Sequence, residues 1–338
     1  MSLSFENLTR RGVKLSEHSS YGIGGEADYF AAPASTEELF CIIDNAAKLS
    51  MPYSLFGLGA NIIFPDEPGK GRLYITLKNL LELRADTYRL YLSAGIPMSF
   101  LALCGALTQR DGLSFTHLLP GTIGAGVYMN ARCYDNEISR ILSKVSCARP
   151  SGDSFEIACI PPGDCRFEYK KSVFQSKNWI ILGIEIEIPE AGGRALDPLR
   201  KMFESMKKAS SGSGFSNLKE FYKFFHSAAR LIPDRACYPY FNRIEKDRKS
   251  KRHFDYPSCG SVFKNDRALG EPTGALIDRL GLKGLAKGGA MVSPYHGNII
   301  INRNRARAGD VIYLIETIAG KIYSHKGIMP EKEVIISE

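Results

Sequence analysis

A chain of 338 residues is long for one packed unit, so two or three are expected. With 44% hydrophobic and 24% charged residues it has the composition of an ordinary soluble globular protein. No apolar run approaches the ~20 residues of a membrane helix, and no apolar stretch behind basic residues marks a secretory leader, which together point to the cytoplasm. The net charge of +8 is local: Arg194 to Arg252 holds 15 Lys/Arg against 6 Asp/Glu, a net +9, which leaves the remainder at −1. No nucleic-acid surface is expected from so uneven a balance.

In chain order, Thr36 to Leu49 repeats apolar residues at helical spacing behind Ser35, with Glu37 and Glu38 in the first turn, and Pro52 ends the pattern. Tyr53-Ser54-Leu55-Phe56 reads as a strand running into Gly57-Leu58-Gly59-Ala60-Asn61, and then Ile62-Ile63-Phe64 and Pro65 follow. Strands are expected at Leu73 to Leu77, Tyr88 to Ser93 and Lys144 to Ala148, and a helix at Met98 to Gln109. Trp179 to Ile188 alternates hydrophobic residues with glutamates, as a half-exposed strand does.

Past Pro189 the composition changes. Ala191-Gly192-Gly193 opens a linker, Pro198 to Lys208 is a basic helix, and Ser210 to Ser216 is a Ser/Gly hinge. Leu218, Phe221, Tyr222, Phe225, Ala228 and Ala229 form an amphipathic stripe suited to packing, with His226 an ordinary histidine beside it. The last third mixes helices (Thr273 to Leu280, Gly309 to His325) with strands (Ala290 to Val292, Ile299 to Ile301, Val334 to Ile336). The eight cysteines are scattered with no CxxC pair or zinc-ligand spacing, so free thiols and no metal are expected.

Glycines cluster at Gly22-Ile23-Gly24-Gly25, at Gly57-x-Gly59, and at Gly121-x-x-Gly124-x-Gly126. Such loops let backbone amides approach a phosphate. The second cluster is not a Rossmann fingerprint: its sixth position is Ile62, and β-like residues and Pro65 follow instead of a helix. Together the clusters suggest a pyrophosphate clamp made of loop amides.

These blocks carry a family resemblance. Ser20-Tyr21-Gly22-Ile23-Gly24-Gly25-x-Ala27-Asp28 resembles the N-terminal signature of the UDP-N-acetylenolpyruvoylglucosamine reductase (MurB) family, and Gly57-Leu58-Gly59-Ala60-Asn61 its G-x-G-S-N loop. Leu119-Pro120-Gly121-Thr122-Ile123-Gly124-Ala125-Gly126, continuing to Asn130-Ala131, is similar to its I-P-G-T block, and Pro257-Ser258-Cys259-Gly260-Ser261-Val262-Phe263-Lys264-Asn265 to its P-S-A-G-S-x-F-K-N block. Gly281 to Gly284, Gly288 to Ala290, His296-x-Asn298 and Glu331-Lys332-Glu333-Val334 follow in family order.

The resemblance implies an α+β fold. A two-lobed FAD-binding domain of the vanillyl-alcohol-oxidase (PCMH) type would cover residues 1–189, with lobes at about 1–77 and 78–189. A basic helical insertion at 190–240 and a smaller α+β substrate-binding domain at 241–338 would follow, the C-terminal strand returning to the active site. The implied reaction is NADPH-dependent, FAD-mediated reduction of UDP-N-acetylglucosamine enolpyruvate to UDP-N-acetylmuramate, a peptidoglycan precursor. Two alternatives stay open: another substrate on the same flavin fold, or a weakly active homologue whose basic insertion docks a protein partner.

Reducing an enol ether conjugated to a carboxylate needs a hydride donor, hydrogen-bonding or cationic groups over the carboxylate, and an acid for the adjacent carbon. By resemblance Ser261 is the acid, Glu333 polarises the carboxyl end, and Lys170 takes the cationic role. The cofactor-binding residues would be Gly57, Gly59, Ala60, Asn61, Ile62, Pro120, Gly121, Thr122, Gly124, Ala125 and Asn130. Tyr169, Lys249, Lys264, Asn265 and His296 would bind substrate, with Lys251 and Arg252 as further cations for the UDP phosphates. Tyr169-Lys170-Lys171-Ser172-Val173-Phe174 departs from the family's Tyr-Arg-x-Ser-x-Phe, because lysine keeps the charge but loses the planar two-pronged grip on a carboxylate. Lys171 is a second candidate for that role. Ala60 replaces a serine and Arg132 a glycine.

Overall fold

A computed structural model describes residues 4–110, 112–152, 154–189, 196–211, 214–232 and 239–337. The first lobe is a four-stranded sheet in the order Thr9–Arg10, Tyr29–Ala31, Leu73–Thr76, Tyr53–Phe56. Leu73–Thr76 runs parallel to both neighbours and is buried throughout, as its unbroken apolar run requires. The helix Thr36–Lys48 covers the sheet, capped by Ser35, whose Oγ accepts the Glu38 amide at 3.2 Å.

The second lobe is a five-stranded antiparallel sheet in the order Ser154–Ile160, Lys144–Ser151, Ile180–Glu187, Arg89–Ser93, Leu83–Ala85. Ile180–Glu187 keeps the expected half-exposed alternation in its second half, where Ile184 and Ile186 are buried, Glu185 is half-buried and Glu187 is exposed. It lies at the centre of the sheet, buried from Ile180 through Ile184, and Glu185 meets Arg89 and Lys144 of the adjacent strands at 3.7 and 3.9 Å. The helix Met98–Thr108 is apolar all round and is buried all round.

The segment beyond residue 195 explains that burial. Helices Leu196–Ala209 and Leu218–Arg230 pack on Met98–Thr108, with Phe203 against Phe100 at 5.7 Å between ring centres. The stripe of Phe221, Phe225, Ala228 and Ala229 joins the second-lobe core, together with Phe215 from within the expected Ser/Gly hinge. The expected Ala191-Gly192-Gly193 linker lies outside the described residues. The helix Pro239–Ser250 spans the expected boundary at 240/241 and buries Phe241 and Ile244 in this first core, since an apolar face follows its packing partner rather than its place in the chain.

A separate core begins near Cys259. A three-stranded sheet (Ala286–Lys287, Ala290–Val292, Ile300–Asn302) packs against helices Thr273–Arg279 and Ala308–Lys326. Tyr21 and Ile23 belong to this core: the Tyr21 hydroxyl donates to Ile300 O at 2.7 Å, and Ser258 N donates to Ser20 O at 3.1 Å. The Gly22 cluster is therefore a packing device. A Cβ on Gly25 would meet Asp66 O at 2.1 Å. Phe221→Ala removes a fully buried ring from the seam between the helix Leu218–Arg230 and the second lobe and is expected to destabilise the fold by ~3–5 kcal/mol, read as a lower urea midpoint.

Candidate active site

The two lobes and the C-terminal domain enclose a cavity of about 1670 Å³. Pockets for one small ligand hold roughly 300–1,000 Å³, so there is room for two. The loop after Phe56 and the loop before Ile123 form one wall. They touch so closely that a Cβ on Gly57 would lie 2.3 Å from Thr122 Oγ1. The glycine-rich third cluster, expected as a loop, winds into the helix Ile123–Tyr128, with Thr122 Oγ1 accepting the Ala125 amide at 3.4 Å. The Ile123 and Gly124 amides go to Ile96 O and Ala94 O at 2.8 and 2.9 Å.

The amides of Leu58, Gly59, Ala60, Asn61, Gly121 and Thr122 make no hydrogen bond among the described residues. They line the cavity, where water or a ligand can take them. Gly121, at φ 113° with open space where a Cβ would stand, lets an anion reach its backbone. This donor set fits a dinucleotide pyrophosphate.

The acid–base residues border the same cavity. Glu168 and Lys171 exchange backbone bonds at 3.2 Å, so Tyr169 and Lys170 form the tip of a tight turn, with Lys170 at φ 58°. Strain of this kind is held by surrounding bonds. Asn130 Nδ2 donates to Glu168 O at 2.9 Å, Ser172 Oγ to Tyr128 O at 2.7 Å, and Gln175 Nε2 to Lys170 O at 3.1 Å. The Lys170 ammonium meets Glu333 Oε1 at 2.5 Å, both side chains being largely buried. Lys171 instead lies exposed beside Glu168.

Glu333 arrives on the C-terminal arm. Its amide donates to Val262 O at 2.8 Å and its carbonyl accepts from Asn61 Nδ2 at 3.0 Å. Ile335–Ile336 then pairs in parallel with Ile62–Ile63. Ser261 sits just before Val262 and after Gly260, whose φ is 71°. Ser261 lines the cavity, and its hydroxyl makes no hydrogen bond among the described residues. Asn298, buried, fixes this loop by accepting the Phe263 amide at 3.0 Å and donating to Phe263 O at 2.7 Å. Lys264 meets Glu331 at 2.5 Å, and the Asn265 amide donates to Tyr169 Oη at 3.2 Å.

Ser261, Glu333 and Lys170 thus line one cavity, and so do Tyr169, Lys264, Asn265 and His296. Of the residues expected to hold the cofactor, all but Asn130 line the cavity; Asn130 lies beneath it, tying the turn. Lys249 is exposed and off the wall, and Arg252 stacks outside on Tyr295 at 4.7 Å. The wall takes Lys251 together with Arg248 and His253, which the sequence reading passed over. Their signal was the basic run up to His253, in which the helical register that turns Arg248 inward was not visible.

Two lobes and a smaller domain around a cavity lined by a hydroxyl, a carboxylate, an ammonium and two glycine-rich loops define the class of two-lobed flavin-dependent reductases. The sequence model of the UDP-N-acetylenolpyruvoylglucosamine reductase C-terminal domain matches residues 252–337. The reductase of Treponema pallidum (strain Nichols) is 32% identical across 98% of this chain and 94% of its own. That of Borreliella burgdorferi is 31% identical across 97% and 94%. The crystal structure of MurB from Thermus caldophilus shares the fold, with a TM-score of 0.66 at 24% identity, covering 98% of this chain and 99% of that one. The chain belongs to the UDP-N-acetylenolpyruvoylglucosamine reductase family. Its fold is the expected two-lobed flavin domain followed by a smaller α+β domain. Among the described residues no helix is long and apolar enough to cross a membrane.

Two predictions follow from the wall. Gly57→Val should push the two loops apart, so that the protein purifies with less FAD, measured as flavin fluorescence released on denaturation. The second concerns acid. Burial lowers His18 and His296 to about 4 and His253 to about 2, helped by the charges of Lys78, Lys251 and Arg248 respectively. The unfolded chain protonates these rings near 6.5, so the stability they contribute is complete above that pH and is lost as pH falls toward 4. The urea midpoint should drop between pH 7 and pH 5, and His296→Gln should flatten that drop.

Proposed function

We propose that Ser261, Glu333 and Lys170 carry the reduction of UDP-N-acetylglucosamine enolpyruvate to UDP-N-acetylmuramate in this chain. The observation that supports it most is the largely buried Lys170–Glu333 pair lining the same cavity as Ser261, whose hydroxyl has no hydrogen bond among the described residues. FAD, held by the amides of the Gly57 and Gly121 loops, supplies hydride chemistry when bound and draws its electrons from NADPH.

The chain's own residues do the rest. An ammonium has three donors; Glu333 takes one, and two remain for the carboxylate of the enolpyruvyl group. Charge that builds toward that carboxylate is met by a cation already fixed, so little reorganisation is needed. The Ser261 hydroxyl then gives its proton to the carbon beside the carboxylate. Tyr169, Lys264 and Asn265 border the same space and hold the sugar–diphosphate portion. We assign the reaction to the cytoplasm, where NADPH and nucleotide sugars are found.

The test is substrate-dependent NADPH oxidation by the flavin-loaded protein. Wild type should turn over, and Ser261→Ala should lose ~10²–10⁴-fold in kcat while keeping its flavin. Lys170→Met should lose ~10–100-fold, and Lys170→Arg should equal or exceed wild type. Yellow protein that ignores the enolpyruvyl substrate would overturn the assignment.

A further inference from the structure

A second cavity, of about 510 Å³, lies within the first lobe and shares no lining residue with the larger one. Its volume falls in the ~300–1,000 Å³ range of pockets for one small ligand. Arg10, Lys14, Glu17, His18 and Lys78 line it, so three cations meet one carboxylate. They come from separate pieces of chain. Arg10 ends the strand Thr9–Arg10 and Lys14 the strand Val13–Lys14; Glu17 and His18 belong to the helical turn Leu15–His18, and Lys78 follows Leu73–Thr76. Lys78 and His18 are only 6% and 8% exposed, whereas Arg10, Lys14 and Glu17 are exposed.

Lys78 Nζ lies 3.0 Å from His18 Nδ1. An ammonium has donors only, so Nδ1 accepts and the proton of the neutral ring sits on Nε2, which makes no hydrogen bond among the described residues. Burial, then the charges of Lys78 and Arg10, keeps the ring neutral by lowering it to about 4. Burial, then Arg10, lowers Lys78 to about 8, which leaves most of it charged at pH 7. The fully buried Phe30 supports this group: the His18 ring lies 4.4 Å from its ring centre and the Arg10 guanidinium carbon 5.5 Å from it. Arg10 and Lys14 make no ion pair among the described residues. Like charges gathered in a partly desolvated space disfavour one another, and an anion placed among them reverses that cost.

We propose that Arg10, Lys14, His18 and Lys78 form a separate anion site in the first lobe, which takes a phosphate group, either inorganic phosphate or the phosphate of a small monoester. Both sources offer the same oxygens to N–H donors. Arg10 and Lys14 supply exposed charge, Lys78 a buried charge and His18 a neutral N–H. The proposal stands apart from the reductase reading, which concerns the larger cavity. The two cavities are nonetheless joined through the backbone. Ser20 N, two residues past His18, donates to Gly59 O at 3.1 Å, and a Cβ on Gly59 would lie 2.3 Å from His18 O. Thr76 Oγ1 donates to Gly57 O at 2.7 Å and accepts the Lys78 amide at 3.4 Å. Both buried members are thus held by the glycine loop that borders the larger cavity, which fixes their position before an anion arrives.

Isothermal titration of the flavin-loaded protein with inorganic phosphate, and separately with glycerol 3-phosphate, tests the site and distinguishes the sources. Tighter binding of glycerol 3-phosphate assigns the site to a monoester, and tighter binding of phosphate assigns it to the free ion. Lys78→Met should weaken the tighter probe ~10–100-fold, the range for a buried charge-assisted contact. The double substitution of exposed residues, Arg10→Gln with Lys14→Ala, should weaken it ~3–30-fold without disturbing the core, and so gives the same reading should Lys78→Met fold poorly. Lys264→Met, which alters the larger cavity, should leave both affinities within two-fold of wild type. A loss in Lys264→Met that is absent from the Arg10/Lys14 protein would put the probe in the larger cavity and overturn the proposal. No saturable binding by wild type overturns it too, as do affinities within two-fold of wild type in both folded Lys78→Met and the Arg10/Lys14 protein.

Discussion

The C-terminal arm holds the site together. Within a few residues it bonds the C-terminal domain through Val262 and Lys264, and the first lobe through Asn61 and Ile63. Glu333 stands between these two sets of bonds and meets Lys170 of the second lobe. Three separately folded surfaces therefore converge on one carboxylate. A side chain fixed from both directions loses little freedom when substrate arrives, which is what preorganised electrostatics require.

Other ties make this convergence rigid. Asp66 of the first lobe accepts the Ala308 and Gly309 amides at 2.9 and 3.3 Å, placing a carboxylate at the positive end of the helix Ala308–Lys326. Tyr21 and Ser20 join the N-terminal segment to the C-terminal domain. Gly57 permits the loop contact that forms the amide wall. Several of the sequence's most distinctive residues thus act on packing between units, and the chemistry falls to their neighbours. Asn130 is such a case, since it supports the Lys170 turn from below.

The helices Leu196–Ala209 and Leu218–Arg230 have a similar logic. They carry cations outward, but their apolar faces are consumed by Met98–Thr108 and one another, so they widen the second-lobe core. Lys170 lines the larger cavity, with Glu333 directly against it. A shorter, more flexible cation remains useful there because the turn and the carboxylate both fix its position.

Most elements were legible in the sequence, because periodicity and caps are local properties: Ser35 before Thr36–Lys48 and the apolar run of Leu73–Thr76 needed no partner to be read. The blocks around Gly57, Gly121 and Ser261 identified the family and named most of the cavity wall. Tertiary structure decided the rest. Burial of the Glu-containing strand Ile180–Glu187 depends on which strands flank it. Whether Lys249 or Arg248 faces the cavity depends on how one helix is rotated, and a run of mixed cations carries no apolar stripe clear enough to show that. The tautomer of His18 follows from the Lys78 ammonium, a donor 60 residues away that only the folded chain brings to it. Composition and motif spacing named the chemistry; long-range packing chose which side chains perform it.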